Sequence, residues 1–270
     1  MGELDSLRYE PTDERIRGVL GDRTVIDSTR AMLVWEPKRI VPAYAVPVED
    51  IDAQISANPA ASASKPPDVA ATDGSQFAGR RVFDPSIPFS AHTSDGEPLA
   101  IHSPGADREV AAFRLLDAAL ADYILLDFDG FDAWYREDER NVGHPRDPFH
   151  RIDIVHSTRQ VRVESNGEAL ADSSAAYFLF EPPLPVRYYL PPEDVRRDLL
   201  RPSDTKTFCA YKGQASYWSV EGEDDLVWSY PEPLRDAAEV TGRLAFFNER
   251  VDIVVDGTRL ERPVTPWSRR

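Results

Sequence analysis

Cys209, Tyr211, Lys212 and Trp218 fall within the single run FCAYKGQASYW at 208–218, the densest group of reactive side chains in the sequence. In a turn that ends at Gly213, the Lys212 ammonium can approach the sulfur and favour the nucleophilic thiolate, which makes Cys209 a candidate nucleophile. The competing reading is a small buried hydrophobe at a strand end, followed by an ordinary Lys-Gly turn. Glu181 follows an apolar strand and precedes proline, so its carboxylate can face a pocket and bind a ligand or act as an acid–base group. Its plainer role is a salt bridge to Arg187, as Glu36 would make to Arg39. Tyr188 and Tyr189 alternate across a strand, so one belongs to the core and the other, taken as Tyr189, lines a cleft with Trp218. The candidates are therefore Cys209, Lys212 and Glu181 for catalysis, and Tyr189, Tyr211, Trp218 and Arg187 for ligand contact.

Two further constellations invite chemistry. Asp127-Phe-Asp129 sets two carboxylates on one side of an extended segment, a geometry used by metal-dependent nucleotidyl and glycosyl transferases. No glycine-rich phosphate loop accompanies it, and a solvated turn is the reading adopted. His144, His150 and Asp153 are metal ligands by residue type, but their spacing fits neither a helical His pair nor a standard zinc pattern. With Pro145 and Pro148 between them they read as a linker, His150 capping or packing between two modules. His92, His102 and His156 have no matching partners. The one cysteine excludes an intrachain disulfide and a cysteine-rich zinc site, there is no Gly-x-Ser-x-Gly elbow, and no metal or cofactor is expected.

Composition narrows the partners. A formal charge of −16 repels phosphate backbones and anionic lipid, so neither nucleic acid nor membrane is an expected partner. No apolar run approaches the roughly 20 residues that span a bilayer, and the first residues lack an apolar signal core, so a cytoplasmic protein is expected. A small molecule is the expected partner, and a homo-oligomer stays open.

These residues must be placed by strands. Residues 15–51 recur at 160–195, with Asp27 on Asp172, Ser28 on Ser173, Glu36-Pro37 on Glu181-Pro182 and Tyr44 on Tyr189, all at an offset of 145. Shared acids and prolines at fixed spacing point to two copies of one β-rich module, 1–143 and 144–270, joined near 142–147. In the second copy, Gln160–Ser165, an Asn166-Gly167 turn and Glu168–Asp172 read as a hairpin. Tyr177–Phe180, Val186–Leu190, Ala215–Val220, Leu226–Tyr230, Leu244–Phe247 and Val251–Val255 read as further strands. Short helices are expected over Val195–Leu200 and Pro233–Thr241. A longer one is expected over Asp107–Tyr123, where Val110, Phe113, Leu116, Leu120 and Tyr123 share a helical face. The Ala/Ser/Pro tract 56–75 is expected to be a disordered insertion in the first copy. Gln76–Phe83 is read as the degenerate counterpart of Tyr211–Trp218, with Gly79 near Gly213.

Taken in order, ADSSAAYFLFE at 171–181, YYLPPEDV at 188–195, FCAYKGQASYW at 208–218, WSYPEP at 228–233 and LAFFNERVDIVVDG at 244–257 resemble the domain of unknown function 427 family. Residues 15–51 and, more weakly, 107–140 resemble a divergent second member, and HPRDPFH at 144–150 is similar to the linker of tandem members. The resemblance implies a mainly β fold of strongly bent antiparallel sheets, similar to the β-tent or Mss4-like architecture, with a few short helices. Zinc is not carried over, because the paired cysteines of zinc-binding relatives are missing. The expected function is that of a small-molecule-binding protein with its pocket in the second module and with catalysis left open. A non-catalytic interaction module is the alternative, and metal-dependent nucleotidyl transfer a third.

Overall fold

A computed structural model describes residues 4–58, 82–103, 105, 109–265, 267 and 268. Most of the 56–75 tract and of Gln76–Phe83 lies outside the described residues. Contacts divide the chain into two compact units that meet in sequence between Asp147 and Pro148. The fold is mainly β, built from several antiparallel sheets and short 3-10 turns. Among the described residues no helix is long and apolar enough to cross a membrane.

The strands of the first unit are β1 (Arg8–Pro11), β2 (Ile16–Leu20), β3 (Arg23–Ser28), β4 (Met32–Trp35), β5 (Ala43–Pro47), β6 (Gln54–Ala57), β7 (Gly96–His102), β8 (Glu109–Leu115), β9 (Tyr123–Leu126), β10 (Ala133–Arg136) and β11 (Glu139–Asn141). They form a seven-stranded sheet in the order β1-β4-β5-β9-β8-β7-β6 and a four-stranded sheet in the order β11-β10-β2-β3. The second unit has β12 (Asp153–Ser157), β13 (Val161–Ser165), β14 (Glu168–Ser173), β15 (Ala176–Phe180), β16 (Arg187–Tyr189), β17 (Arg201–Cys209), β18 (Gly213–Val220), β19 (Glu223–Ser229), β20 (Ala245–Phe246), β21 (Asp252–Val255) and β22 (Thr258–Arg259). Here β12-β15-β16 and β17-β18-β19-β20 are joined through Leu190 and Leu244, whose main chains exchange hydrogen bonds of 2.8 and 2.9 Å. The joined sheet runs β12-β15-β16-β20-β19-β18-β17, the strand order of the first unit. The smaller sheet, β14-β13-β21-β22, likewise matches β3-β2-β10-β11.

Local sequence explains the hairpins. Asn166 and Gly167 both take positive φ, 51° and 83°, as the tight turn between two twisted strands demands. The following register shift lies between Val163 and Glu164, and its counterpart between Gly18 and Val19 lies 145 residues earlier. Alternating burial along β13 sends Val161 and Val163 into the core with Leu190, Leu226, Val251 and Ile253. A second cluster, with Leu179, Tyr189, Ala215, Trp228 and Tyr230, lies against Cys209 and Tyr217.

The structure corrects three expectations. Glu109–Leu115 is a strand paired with β7 and β9, not a helix, and Leu116 of the supposed apolar face is 71% exposed. The apolar residues there fit both periods, and long-range pairing overrides the local 3.6-residue pattern. The helices expected at 195–200 and 233–241 are reduced to 3-10 turns at Arg197–Leu199 and Arg235–Val240. Strand order makes β7, beginning at Gly96, the counterpart of β18. In sequence, β6 and β7 are separated by residues 58–95, whereas β17 and β18 are separated only by Ala210, Tyr211 and Lys212.

Arg187 is fixed in the core of the second unit. It makes two hydrogen bonds to Glu249, 2.7 and 2.8 Å long, and its guanidinium lies 5.5 Å from the Trp228 ring, 5.8 Å from Phe247 and 5.7 Å from Trp267. Thr265 completes the set by donating to Glu249 at 2.6 Å. Because Glu249 would be left buried and unpaired, Arg187→Ala is expected to lower the stability of this unit by about 3–5 kcal/mol, read as a shift in its urea unfolding transition.

Candidate functional site

Glu181 lies just past β15, with its carboxylate buried at 7% exposure. The last β17–β18 pair, Cys209 with Gly213, leaves Ala210, Tyr211 and Lys212 as the hairpin tip. Gly213 takes φ 94°, and a Cβ there would stand 3.3 Å from the Leu234 main-chain nitrogen, so the tip needs glycine to pack under 232–234. This close packing turns Lys212 inward, where its ammonium, 9% exposed, donates to Glu181 Oε2. The other carboxylate oxygen meets His150 Nε2 at 3.3 Å. The His150 ring lies 4.6 Å from that of Tyr211.

The charges reinforce one another. Burial by itself would raise the Glu181 carboxyl, but the adjacent Lys212 charge and the His150 and Lys212 hydrogen bonds hold it down at about 2. Burial works against the Lys212 ammonium too. Cys209, Glu181 and Tyr189 outweigh it and hold the lysine above its ordinary value. Cys209 is half-buried at the edge of the cluster, within electrostatic reach of Lys212, Tyr189, Tyr217 and Tyr230. Tyr189 is fully buried and accepts a 3.1 Å hydrogen bond from Trp228 Nε1, and burial raises its phenol above the ordinary value.

The structure thus brings together Glu181, Lys212, Cys209, Tyr189 and Tyr211, and separates two other candidates from them. Trp218 packs on the other core, with Leu200 and Leu244, so it does not share a cleft with Tyr189. Tyr188 and Tyr189 do face opposite ways, but both are buried, Tyr188 edge-on to Phe178 with ring centres 4.8 Å apart. Arg187 belongs to Glu249 and not to Glu181. His150 is the residue that sequence reasoning missed as a site residue: it is a partner of Glu181 in the second unit. No spacing signal marks it, because only the β12–β15 pairing, with Asp153 opposite Phe180, carries it there.

The first unit holds the matching carboxylate, Glu36, at 1% exposure. Its partners are His92 Nδ1 at 3.0 Å and the main-chain N–H groups of Thr93 and Ser94, each at 3.0 Å. Arg39 turns away to donate to the carbonyls of Ile87, Pro88 and Ala91, so the expected Arg39–Glu36 pair is not made. Asp129 lies in a 3-10 turn, Phe128–Gly130, that Asp127 caps, with Asp127 Oδ1 accepting from the Asp129 N–H at 3.2 Å. Burial, then the neighbouring Asp129 charge, raises the Asp127 carboxyl to about 6. Among the described residues no group of three or more His, Cys, Asp or Glu side chains is placed to hold a metal ion.

Residues 153–257 match the model of the family described as Domain of unknown function (DUF427). The match covers Glu181, Cys209, Tyr211 and Lys212 and leaves out His150 and the first unit. No curated protein matches the chain.

Glu181 and Asp127 have opposite pH signatures. Glu181 is depressed on folding, from 4.5 to about 2, so its contribution is present above pH 4.5 and lost as pH falls through 2. Wild type should lose about 3 kcal/mol over that window, while Glu181→Gln, weaker at pH 7, should converge on it in acid, measured by hydrogen exchange of β15 amides. Asp127 is raised from 3.8 to about 6, so its contribution is present below pH 3.8 and lost as pH rises through 6. Asp127→Asn should therefore protect β9 amides at pH 8 by up to about 3 kcal/mol over wild type and show no gain at pH 3.5.

Proposed function

We propose that this protein, whose second unit belongs to the DUF427 family, binds a small molecule at Cys209 and the Glu181–Lys212–His150 cluster. One observation carries the reading: two opposite charges and an imidazole are gathered near the half-buried Cys209, an arrangement that contributes little net stability. Buried ionisable groups with strongly shifted pKa values, set beside a nucleophile, are the usual signature of a site that works on a ligand.

In this reading Lys212 and His150 meet the polar end of the ligand, Tyr211 and Tyr217 its planar part, and Cys209 its electrophilic atom. Glu181 positions the ammonium and the imidazole. A carboxyl held near 2 stays ionised at neutral pH and is a poor acid or base, so any proton transfer falls to the His150 imidazole that the carboxylate orients. The first unit is a divergent copy of the second, a reading supported by the shared strand order and the equivalent register shift. Among the described residues it retains the buried carboxylate without a lysine or a thiol beside it, which suits a covering or regulatory half.

A protein-interaction role is the second reading, favoured by exposed phenylalanines next in sequence to site residues: Phe149 at 73%, Phe180 at 39% and Phe208 at 56%. Alkylation separates the two. Under the small-molecule reading Cys209 in the native protein reacts with iodoacetamide at pH 7 faster than the same thiol in the unfolded chain. Metabolite extract raises the melting temperature of wild type and not of Cys209→Ala. Reaction only on unfolding, with no thermal shift, would overturn it.

A further inference from the structure

A cleft of about 580 Å³ opens on the other side of β18 from Cys209, in the size range of small-molecule sites. Its walls are Trp218, Pro192, Pro202, Leu200 and Leu244, with Arg197 and Asp198 at one part of the lining and Gly242 contributing no side chain. Pro202 lies opposite Trp218 in the β17–β18 register, so proline and indole stand on neighbouring strands.

The charge and the aromatic surface in this cleft are both unspent. Asp198, the one carboxylate in the lining, is neutralised by Arg196 through two hydrogen bonds of 2.9 and 2.7 Å. Among the described residues the Arg197 guanidinium has no acidic or carbonyl partner, although the chain carries a formal charge of −16. An exposed guanidinium left free in so acidic a protein is a recognition group for a planar anion, which it can grip with two parallel N–H donors. Trp218 is half-buried against Leu200 and Leu244, but among the described residues its ring stacks on no other aromatic ring. It is a rigid, preformed platform with one side packed.

We infer that this cleft is a second binding site, distinct from the Cys209 cluster, for a planar aromatic carboxylate that lies on Trp218 between Pro192 and Pro202 and pairs with Arg197. The apolar wall supplies area and the guanidinium supplies selection for charge. A neutral analogue of the same shape keeps the stacking and loses the charge-assisted bonds.

The test is a titration of the ¹⁵N-labelled full chain with 2-naphthoate and with neutral 2-naphthamide, followed at the Trp218 indole N–H. The carboxylate should move that resonance saturably, and the amide should bind about tenfold more weakly, the equivalent of losing one charge-assisted contact. Arg197→Gln should bring naphthoate down to the amide's affinity without changing the amide's. High salt should weaken the acid alone. Arg197 is exposed, so this variant is expected to stay folded, as the dispersion of its spectrum will report. Equal affinities for acid and amide, an unchanged Kd in Arg197→Gln, or no movement of the Trp218 resonance by either compound would each overturn the assignment.

Discussion

A buried carboxylate at the end of the second strand of the larger sheet is the constraint around which each unit closes. Glu36 and Glu181 occupy the same place, and neither can stay ionised in that environment without nearby donors. Each unit meets the requirement differently. Glu36 is answered by an imidazole and two main-chain N–H groups from a long connection, whereas Glu181 is answered by an ammonium from a three-residue hairpin tip and an imidazole from the segment before β12. The geometry of the loops follows from that demand: the 92–94 segment and the Ala210–Lys212 tip are both held where they can reach the carboxylate.

The cost of such an arrangement is specific. An ion pair taken out of water returns little net free energy, but removing either partner leaves a charge stranded, so the cluster resists drift once formed. This makes it a rigid support for the half-buried Cys209 beside it. The second buried pair, Arg187 with Glu249, is surrounded by Trp228, Phe247 and Trp267 and fastens the C-terminal segment, so it belongs to the fold and not to the site. Two chemically similar pairs in one unit thus have different consequences because one borders a thiol and the other is enclosed by rings.

The β-rich character of the chain was legible because short alternating strands and Asn-Gly or Asp-Gly turns are local features. Glu36 and Glu181, and Tyr44 and Tyr189, stand in the sequence at one fixed spacing and fall at like positions in sheets of the same strand order. The strand at 109–115 was not legible, since Val110, Phe113, Leu116 and Leu120 satisfy a helical period and only pairing with β7 and β9 decides against it. The nine-residue β17 was equally hidden, its residues being mostly polar and exposed. In the site, Cys209, Tyr211 and Lys212 were found because they are neighbours in sequence, whereas His150 and Lys212 each lie 31 residues from Glu181, in opposite directions.

The sequence by itself determined the class of fold, the hairpins with their turns, and which reactive side chains share a loop, because these depend on periodicity and on backbone preferences of adjacent residues. Tertiary structure alone decided the partners. It sent Lys212 and His150 to Glu181, gave Arg187 to Glu249, and turned Trp218 away from Tyr189 into a cleft with Arg197. The physical reason is that ion pairing and ring packing are set by which strands lie side by side and which face a residue takes, and neither is encoded in spacing along the chain.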